Sequence, residues 1–310
     1  MFTLGLVCAA LAAGLAEPAH APAKGDALRC ADITMRDPFV LPVKKDGLYF
    51  LYGTCPTFGE KPFLCYTSKD LKTWSGPTSV LDLPKDFWGT RDFWAPEAHV
   101  WKGRYYLFAT YATDGGKTRR THICAADAPL GPFRPIGDGP QTPEGWMCLD
   151  GTLFVDDGGA PWMVFCHEWL QVQDGEICAV RLSEDLSKAA SAPQLLFKAS
   201  AAPWVREKKD KITDGPFLHR SESGRLLMIW SSFGTDGKYK VGLARSRSGK
   251  LEGPWEQQAK PIYEDDGGHA MLFRTFDGRL LMSLHTPNHR PSHPVFIPVR
   301  DAGDTLVLEP

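Results

Sequence analysis

Long apolar runs are nearly absent from these 310 residues. The one present, Phe2 to Ala16, falls short of the roughly 20 residues that span a bilayer, so a membrane-embedded protein is not expected. Its place at the start, followed by the small-x-small pattern Ala19-His20-Ala21, reads as a secretory signal peptide over residues 1–21, although no Lys or Arg precedes it. A soluble, periplasmic or secreted chain over residues 22–310 is expected. An excess of charge is missing too: 35 Lys and Arg against 37 Asp and Glu leave a formal charge of -2, which excludes a broad footprint for nucleic acid or anionic lipid. No C-x-x-C pair occurs, which disfavours a structural zinc site. With Cys8 removed in the leader, an odd number of cysteines remains, so at least one thiol stays free. Cys55 and Cys65 could clip a hairpin loop in an oxidising compartment, with buried, unpaired thiols as the alternative. The Gly-rich stretches Asp114-Gly115-Gly116 and Asp156-Asp157-Gly158-Gly159 are followed by no helix, which excludes a phosphate cradle. Ser231-Ser232 and His285 lack the G-x-S-x-G elbow of a nucleophilic hydrolase.

What the chain does have is core material, 43% hydrophobic and 11% aromatic, far from the composition of disorder, and a repeat. Five segments share one grammar, in which an acidic or His residue beside Pro or Gly opens an apolar strand, a turn follows, and an aromatic-rich strand returns. They are RDPFVLPVKKDGLYFLYGT, WAPEAHVWKGRYYLFATY, LDGTLFVDDGGAPWMVFCHEW, TDGPFLHRSESGRLLMIWSS and GGHAMLFRTFDGRLLMSLHTPN. The marker residues Asp37, Glu97, Asp150, Asp214 and His269 are separated, by subtraction of their positions, by 60, 53, 64 and 55 residues. Strands of about 4–8 residues punctuated by Gly and Asp, with no sustained helical periodicity, predict an all-β chain. Repeats of this length are units that cannot bury both faces alone and therefore pack radially, which predicts a five-bladed β-propeller from about Ile33 to Val307 with no second domain.

In a propeller the inner strands line a central channel, so their first residues converge on one mouth. Asp37, Asp150 and Asp214 are expected there at one shared position, with Trp94 to Glu97 and His269 taking that position in the other two blades. Carboxylates gathered in this way repel one another unless function, a cation or hydrogen bonds offset the cost. Carboxylates on either side of a sugar are the chemistry of glycoside hydrolysis. The ten tryptophans supply aromatic faces for sugar rings, most of them being core and a few, Trp94 and Trp169 among them, belonging to the pocket. Because the second strand of each blade returns to the same mouth, His167-Glu168-Trp169, Ser231-Ser232 and His285 to Asn288 should border it. Glu168 is either a further acid or the partner of an Arg on a neighbouring loop. Lys117, Arg119 and Arg120 form a short basic loop, read as solvated.

Arg36-Asp37-Pro38-Phe39, Trp94-Ala95-Pro96-Glu97, Leu149-Asp150-Gly151-Thr152, Asp214-Gly215-Pro216-Phe217 and Gly268-His269, in this order and at blade spacing, resemble glycoside hydrolase family 43. The resemblance implies a five-bladed propeller, Asp37 as general base, Asp150 as modulator of the acid, and an inverting hydrolase releasing arabinofuranose or xylose from plant-type glycans. It also admits galactosidases and a catalytically inactive sugar-binding propeller. Glu97, Trp94, Trp169, Ser231 and His285 are the substrate-binding candidates. His269 is the candidate contact, direct or through water, of a central calcium ion. The chain departs from the family where the usual Glu-Gly-Pro reads Asp214-Gly215-Pro216, one methylene shorter, which leaves Asp214 and Glu168 both open as proton donor. A carbohydrate is the expected partner, nucleic acid and membrane are not, and a monomer is favoured.

Overall fold

The computed structural model describes residues 27–55, 63–113 and 118–309. The leader, Cys8 and the segment Asp114 to Lys117 lie outside the described residues. Five four-stranded antiparallel sheets follow one another along the chain. Blade 1 is β1 (Arg36–Val43), β2 (Leu48–Thr54), β3 (Phe63–Ser68) and β4 (Ser75–Ser79). Blade 2 is β5 (Arg91–Trp101), β6 (Arg104–Ala112), β7 (Arg120–Ala126) and β8 (Arg134–Pro135), and blade 3 is β9 (Cys148–Val155), β10 (Pro161–His167), β11 (Glu176–Arg181) and β12 (Gln194–Lys198). Blade 4 is β13 (Asp214–Arg220), β14 (Leu226–Phe233), β15 (Tyr239–Ser246) and β16 (Trp255–Gln257), and blade 5 is β17 (Gly268–Arg274), β18 (Leu280–Thr286), β19 (His293–Asp301) and β20 (Leu306–Leu308). This is the five-bladed β-propeller predicted from the repeat.

Burial explains why the strands read as they do. Second strands such as LYFLYGT and LLMIWSSF are covered on both faces by the neighbouring blades, so they are almost continuously apolar. The outermost strand of blade 1, SGPTS, is exposed throughout and polar. The cores lie between blades; one of them packs Trp230 against Trp204 and Phe197 at centroid distances of 5.1 and 5.5 Å. The Cys55–Cys65 clip is not formed: all seven described cysteines are free thiols, and both of these are buried. They serve as small core residues.

Each inner strand opens with a bulge in its pairing to the second strand. Directly after the residue paired with Thr54, Thr110, Cys166, Ser231 or His285 stands one in the left-handed conformation: Asp37 (φ 53°), Ala95 (φ 47°), Asp150 (φ 56°), Gly215 (φ 51°) and His269 (φ 52°). This conformation is unfavourable for L-residues by about 1–2 kcal/mol, yet it recurs at this position in every blade. The shared position is therefore held by Asp37, Ala95, Asp150, Gly215 and His269. Asp214 stands one residue before it and Glu97 two residues after it, which corrects the expected equivalence. In blade 4 a Cβ on Gly215 would come within 2.9 Å of the His269 ring, so only glycine fits.

The ring closes without exchanging a strand, because every blade is built from consecutive segments. Side chains and backbone bind the first blade to the last: Arg36 to the Asn288 carbonyl and side chain, the Asp37 N–H to His285 Nδ1 at 3.2 Å, and Ser283 Oγ to the Pro38 carbonyl at 2.8 Å. Trp230→Ala, which empties an inter-blade core and strips Gln257 of its indole partner, should cost about 3–5 kcal/mol, read as a lower urea midpoint.

Candidate active site

The mouth of the channel holds a cavity of about 590 Å³. Asp37, Asp150, Asp214 and His269 lie at its base, and Asp92, Trp94, Glu168 and Trp169 form a wall, with Arg36, Arg91, Arg290 and Tyr239 also lining it. The three aspartates expected to converge do converge. Glu97, Ser231 and His285 do not line this cavity. Glu97 is buried with its carboxylate on His99 Nε2 at 3.0 Å, Ser231 Oγ accepts the His269 N–H at 2.8 Å, and fully buried His285 backs Asp37. These three lie behind the lining of the cavity, where Ser231 and His285 support residues that face it.

Position in the bulge gives each carboxyl a different environment. The Asp37 carboxyl accepts the Thr54 hydroxyl at 2.5 Å and stands 3.3 Å from His269 Nδ1. Burial by itself would raise its pKa, but His269, His285, Arg36 and the Thr54 hydroxyl together hold it below the usual aspartate value. His285 is itself pushed down to about 3 by burial; near neutral pH it acts as an uncharged acceptor for the Asp37 N–H, which leaves His269 and then Arg36 as the cationic partners. Asp150 is driven well upward, first by burial and then by Asp214 and Asp37, against the pull of His269 and the Gly215 N–H, which its Oδ2 accepts at 3.0 Å. Asp214 is raised by burial and by Asp37; the Tyr239 hydroxyl, donating to its Oδ2 at 2.8 Å, and His269 oppose this. One low carboxyl thus shares a pocket with two raised ones, the separation that general base and general acid need.

Glu168 is the partner of an arginine on a neighbouring segment. Both its oxygens lie 2.5 Å from Arg119 Nη1, while Nη2 of the same guanidinium reaches Asp92 at 2.8 Å. The guanidinium carbon is 4.3 Å from the centre of the Trp94 ring. Burial raises the Glu168 carboxyl and Arg119 draws it back. Arg119, read from the sequence as part of a solvated loop, is buried and is the residue that sequence reasoning missed. The available signal was its place two residues before an apolar strand, THICAA, that starts from the same mouth.

His269 Nδ1 faces Asp37 at 3.3 Å and Asp150 at 3.6 Å, and burial, which alone would lower its pKa, is outweighed by Asp37, Asp150, Glu97 and Asp214. Its Nε2 is buried without a partner among the described residues, a geometry that suits a water or one ligand bond to a cation. Calcium requires six to eight oxygen ligands, whereas among the described residues no group of three or more His, Cys, Asp or Glu side chains is placed to hold a metal. A calcium ion beside His269 would take one nitrogen from that side chain. Ligation at Nε2 would leave the proton on Nδ1, facing the two carboxylates.

Removing the guanidinium tests the wall. Arg119→Met leaves Glu168 buried without its counter-charge and Asp92 with only the half-exposed Arg91, and should destabilise the fold by about 3–5 kcal/mol, measured by denaturant unfolding; Arg91→Met should change stability by less than about 1 kcal/mol.

The profile of the family described as "Glycosyl hydrolases family 43" matches residues 32–303. The solved structure of an endo-arabinase from Bacteroides thetaiotaomicron is 44% identical, superimposes with a TM-score of 0.83, and covers 90% of this chain and 99% of that one. The extracellular exo-alpha-(1->5)-L-arabinofuranosidase ArbA of Cellvibrio japonicus is 22% identical over 87% of this chain and 75% of its own length. A 90-residue stretch, 29% of this chain, is 36% identical to Xylosidase/arabinosidase 43A of Humicola insolens but spans only 25% of that protein. With the match running through all five blades and the bulged aspartates gathered at one mouth, the chain belongs to glycosyl hydrolase family 43.

Proposed function

We propose that this protein hydrolyses α-L-arabinofuranosyl linkages of plant-type polysaccharides, with inversion at the anomeric carbon. The observation that carries the reading is the convergence of Asp37, Asp150 and Asp214 on one cavity with their pKa values moved in opposite directions. Similarity to an endo-arabinase and to an exo-arabinofuranosidase supports arabinose over xylose or galactose as the sugar. Asp37, ionised, takes a proton from water as the water attacks the anomeric carbon. Asp214, protonated, gives its proton to the departing glycosidic oxygen, and an oxocarbenium-like transition state lies between. Burial and the negative Asp37 keep that proton in place, and Asp150, tied to the Gly215 N–H, orients the segment that carries the donor. Both Glu168 and Asp214 line the cavity; Asp214 is preferred as donor because both oxygens of Glu168 are engaged by Arg119, whereas Asp214 has only one oxygen on Tyr239. Export by the Phe2–Ala16 leader and action as a monomer belong to the same proposal.

Debranched arabinan, with 4-nitrophenyl arabinofuranoside, xyloside and galactoside beside it, tests the sugar. The arabinose substrates should be turned over, and the first product seen by proton NMR should have the configuration opposite to that of the bond cleaved. Asp37→Asn and Asp214→Asn should each lower kcat/KM on arabinan by about a hundredfold or more, while Glu168→Gln retains measurable turnover. Wild-type inactivity on every sugar, with glycan binding intact in Asp37→Asn, would instead identify a sugar-binding propeller.

Tyr239→Phe gives a pH test with a definite sign. The hydroxyl opposes the burial-driven rise of the Asp214 pKa, so its removal lets that pKa rise further. The donor then keeps its proton to higher pH, and the descending limb of the kcat/KM profile should move to the alkaline side while the ascending limb, set by Asp37, stays in place.

A further inference from the structure

In four blades the end of the second strand presents a side-chain acceptor to the peptide N–H of the left-handed residue in the next blade around the ring. Thr54 Oγ1 takes the Ala95 N–H at 2.7 Å, Thr110 Oγ1 the Asp150 N–H at 2.9 Å, Ser231 Oγ the His269 N–H at 2.8 Å, and His285 Nδ1 the Asp37 N–H at 3.2 Å. Pairing places these four residues at one register, opposite Arg36, Trp94, Asp214 and Gly268. The fifth residue at that register, opposite Leu149 in blade 3, is Cys166. The N–H it would receive is that of Gly215, and this N–H goes to Asp150 Oδ2 at 3.0 Å.

Chemistry accounts for the exception. A thiol is a weak acceptor, and a buried peptide N–H takes the stronger one within reach, here a carboxylate. Burial, followed by the Asp150 and Asp214 carboxyls, holds the Cys166 thiol well above its ordinary pKa, so it brings no charge of its own. In blade 1, where a hydroxyl is present, Thr54 stands between Asp37 and the neighbouring peptide, donating to the one and accepting from the other. Blade 3 has no such intermediary. Asp150 is tied directly to the backbone of the residue after Asp214.

We propose that Cys166 is a positioning residue: by declining the Gly215 N–H it leaves that donor to Asp150 and so fixes Asp150 against the segment carrying the proton donor. The inference rests on the catalytic roles proposed above and deepens them. Cysteine is the useful choice because it fills the volume of serine or threonine without competing for the N–H.

The test compares Cys166→Ser with Cys166→Ala. The serine substitution supplies the acceptor used in the other blades, so the Gly215 N–H should transfer to it and Asp150 should lose its tie; the alanine substitution supplies none, so the tie should persist. On arabino-oligosaccharides, whose leaving group needs a proton, Cys166→Ser should lower kcat about ten- to a hundredfold with KM within about twofold, and Cys166→Ala should stay within about threefold of wild type. On an aryl arabinofuranoside with a 2,4-dinitrophenolate leaving group, which needs no proton, the Cys166→Ser deficit should shrink to a few fold, which a general loosening of the core would not produce. Equal losses in the two variants, or no loss in Cys166→Ser, would overturn the proposal. A crystal structure of Cys166→Ser decides the geometry without reference to activity: Gly215 N–H on the introduced hydroxyl supports it, and an unchanged Asp150–Gly215 bond refutes it. If the wild-type protein hydrolyses none of the sugars, the proposed function fails while that structure still judges the role of Cys166.

Discussion

Everything at the mouth of this channel depends on one backbone constraint, the left-handed residue that opens each inner strand. Each inner strand carries a bulge, a residue of positive φ sits in it, and the peptide N–H of that residue turns towards the preceding blade. Hydrogen bonds from second strands then stitch neighbouring blades together at the same height. Because the chain visits this height five times, residues far apart in sequence acquire fixed neighbours. Asp37, Asp150 and His269 occupy three of the five places, and Gly215 sets Asp214 immediately before a fourth.

Gathering so many carboxylates in a buried site would be prohibitive without compensation. The protein divides the work between two groups of partners. Arg119 answers Asp92 and Glu168 on the wall, while His269 and Arg36, with hydroxyls from Thr54 and Tyr239, answer the aspartates at the base. The first arrangement pairs charge fully and yields a rigid surface beside Trp94. The second pairs it incompletely, and the residual imbalance is what moves Asp37 and the other two aspartates in opposite directions. A site able to give and take protons is thus built next to one that cannot, from the same residue types.

The architecture was legible because strand composition and turn punctuation repeat at blade length, and the convergence of acids followed from the geometry of a ring. Register was less so: a motif beginning with Asp in three blades conceals that Asp214 precedes the bulge which Asp37 and Asp150 occupy, since both arrangements leave the spacing between repeats almost unchanged. The depth of a side chain was not legible where it depends on a neighbouring blade. Arg119 lies in a run of polar residues that looks solvated, and only the packed fold brings Asp92 and Glu168 to it from either side. Ser231, His285 and Glu97 were rightly assigned to the region of the mouth, but a one-residue difference along an alternating strand decides between facing a ligand and backing a residue that does. The pairing of Cys55 with Cys65 followed only from their closeness in sequence, and the core that buries both thiols needs no bridge.

The closing seam of the ring has a consequence for the life of the chain. Asp37 belongs to the first blade to leave the ribosome, yet the acceptor for its N–H and the anchor of its neighbour Arg36 are His285 and Asn288, near the end of the last blade. Four finished blades would carry Asp37, Asp150 and Asp214 and still lack the partners that seat Asp37. The seat of Asp37 is therefore completed only when the end of the last blade docks on the first.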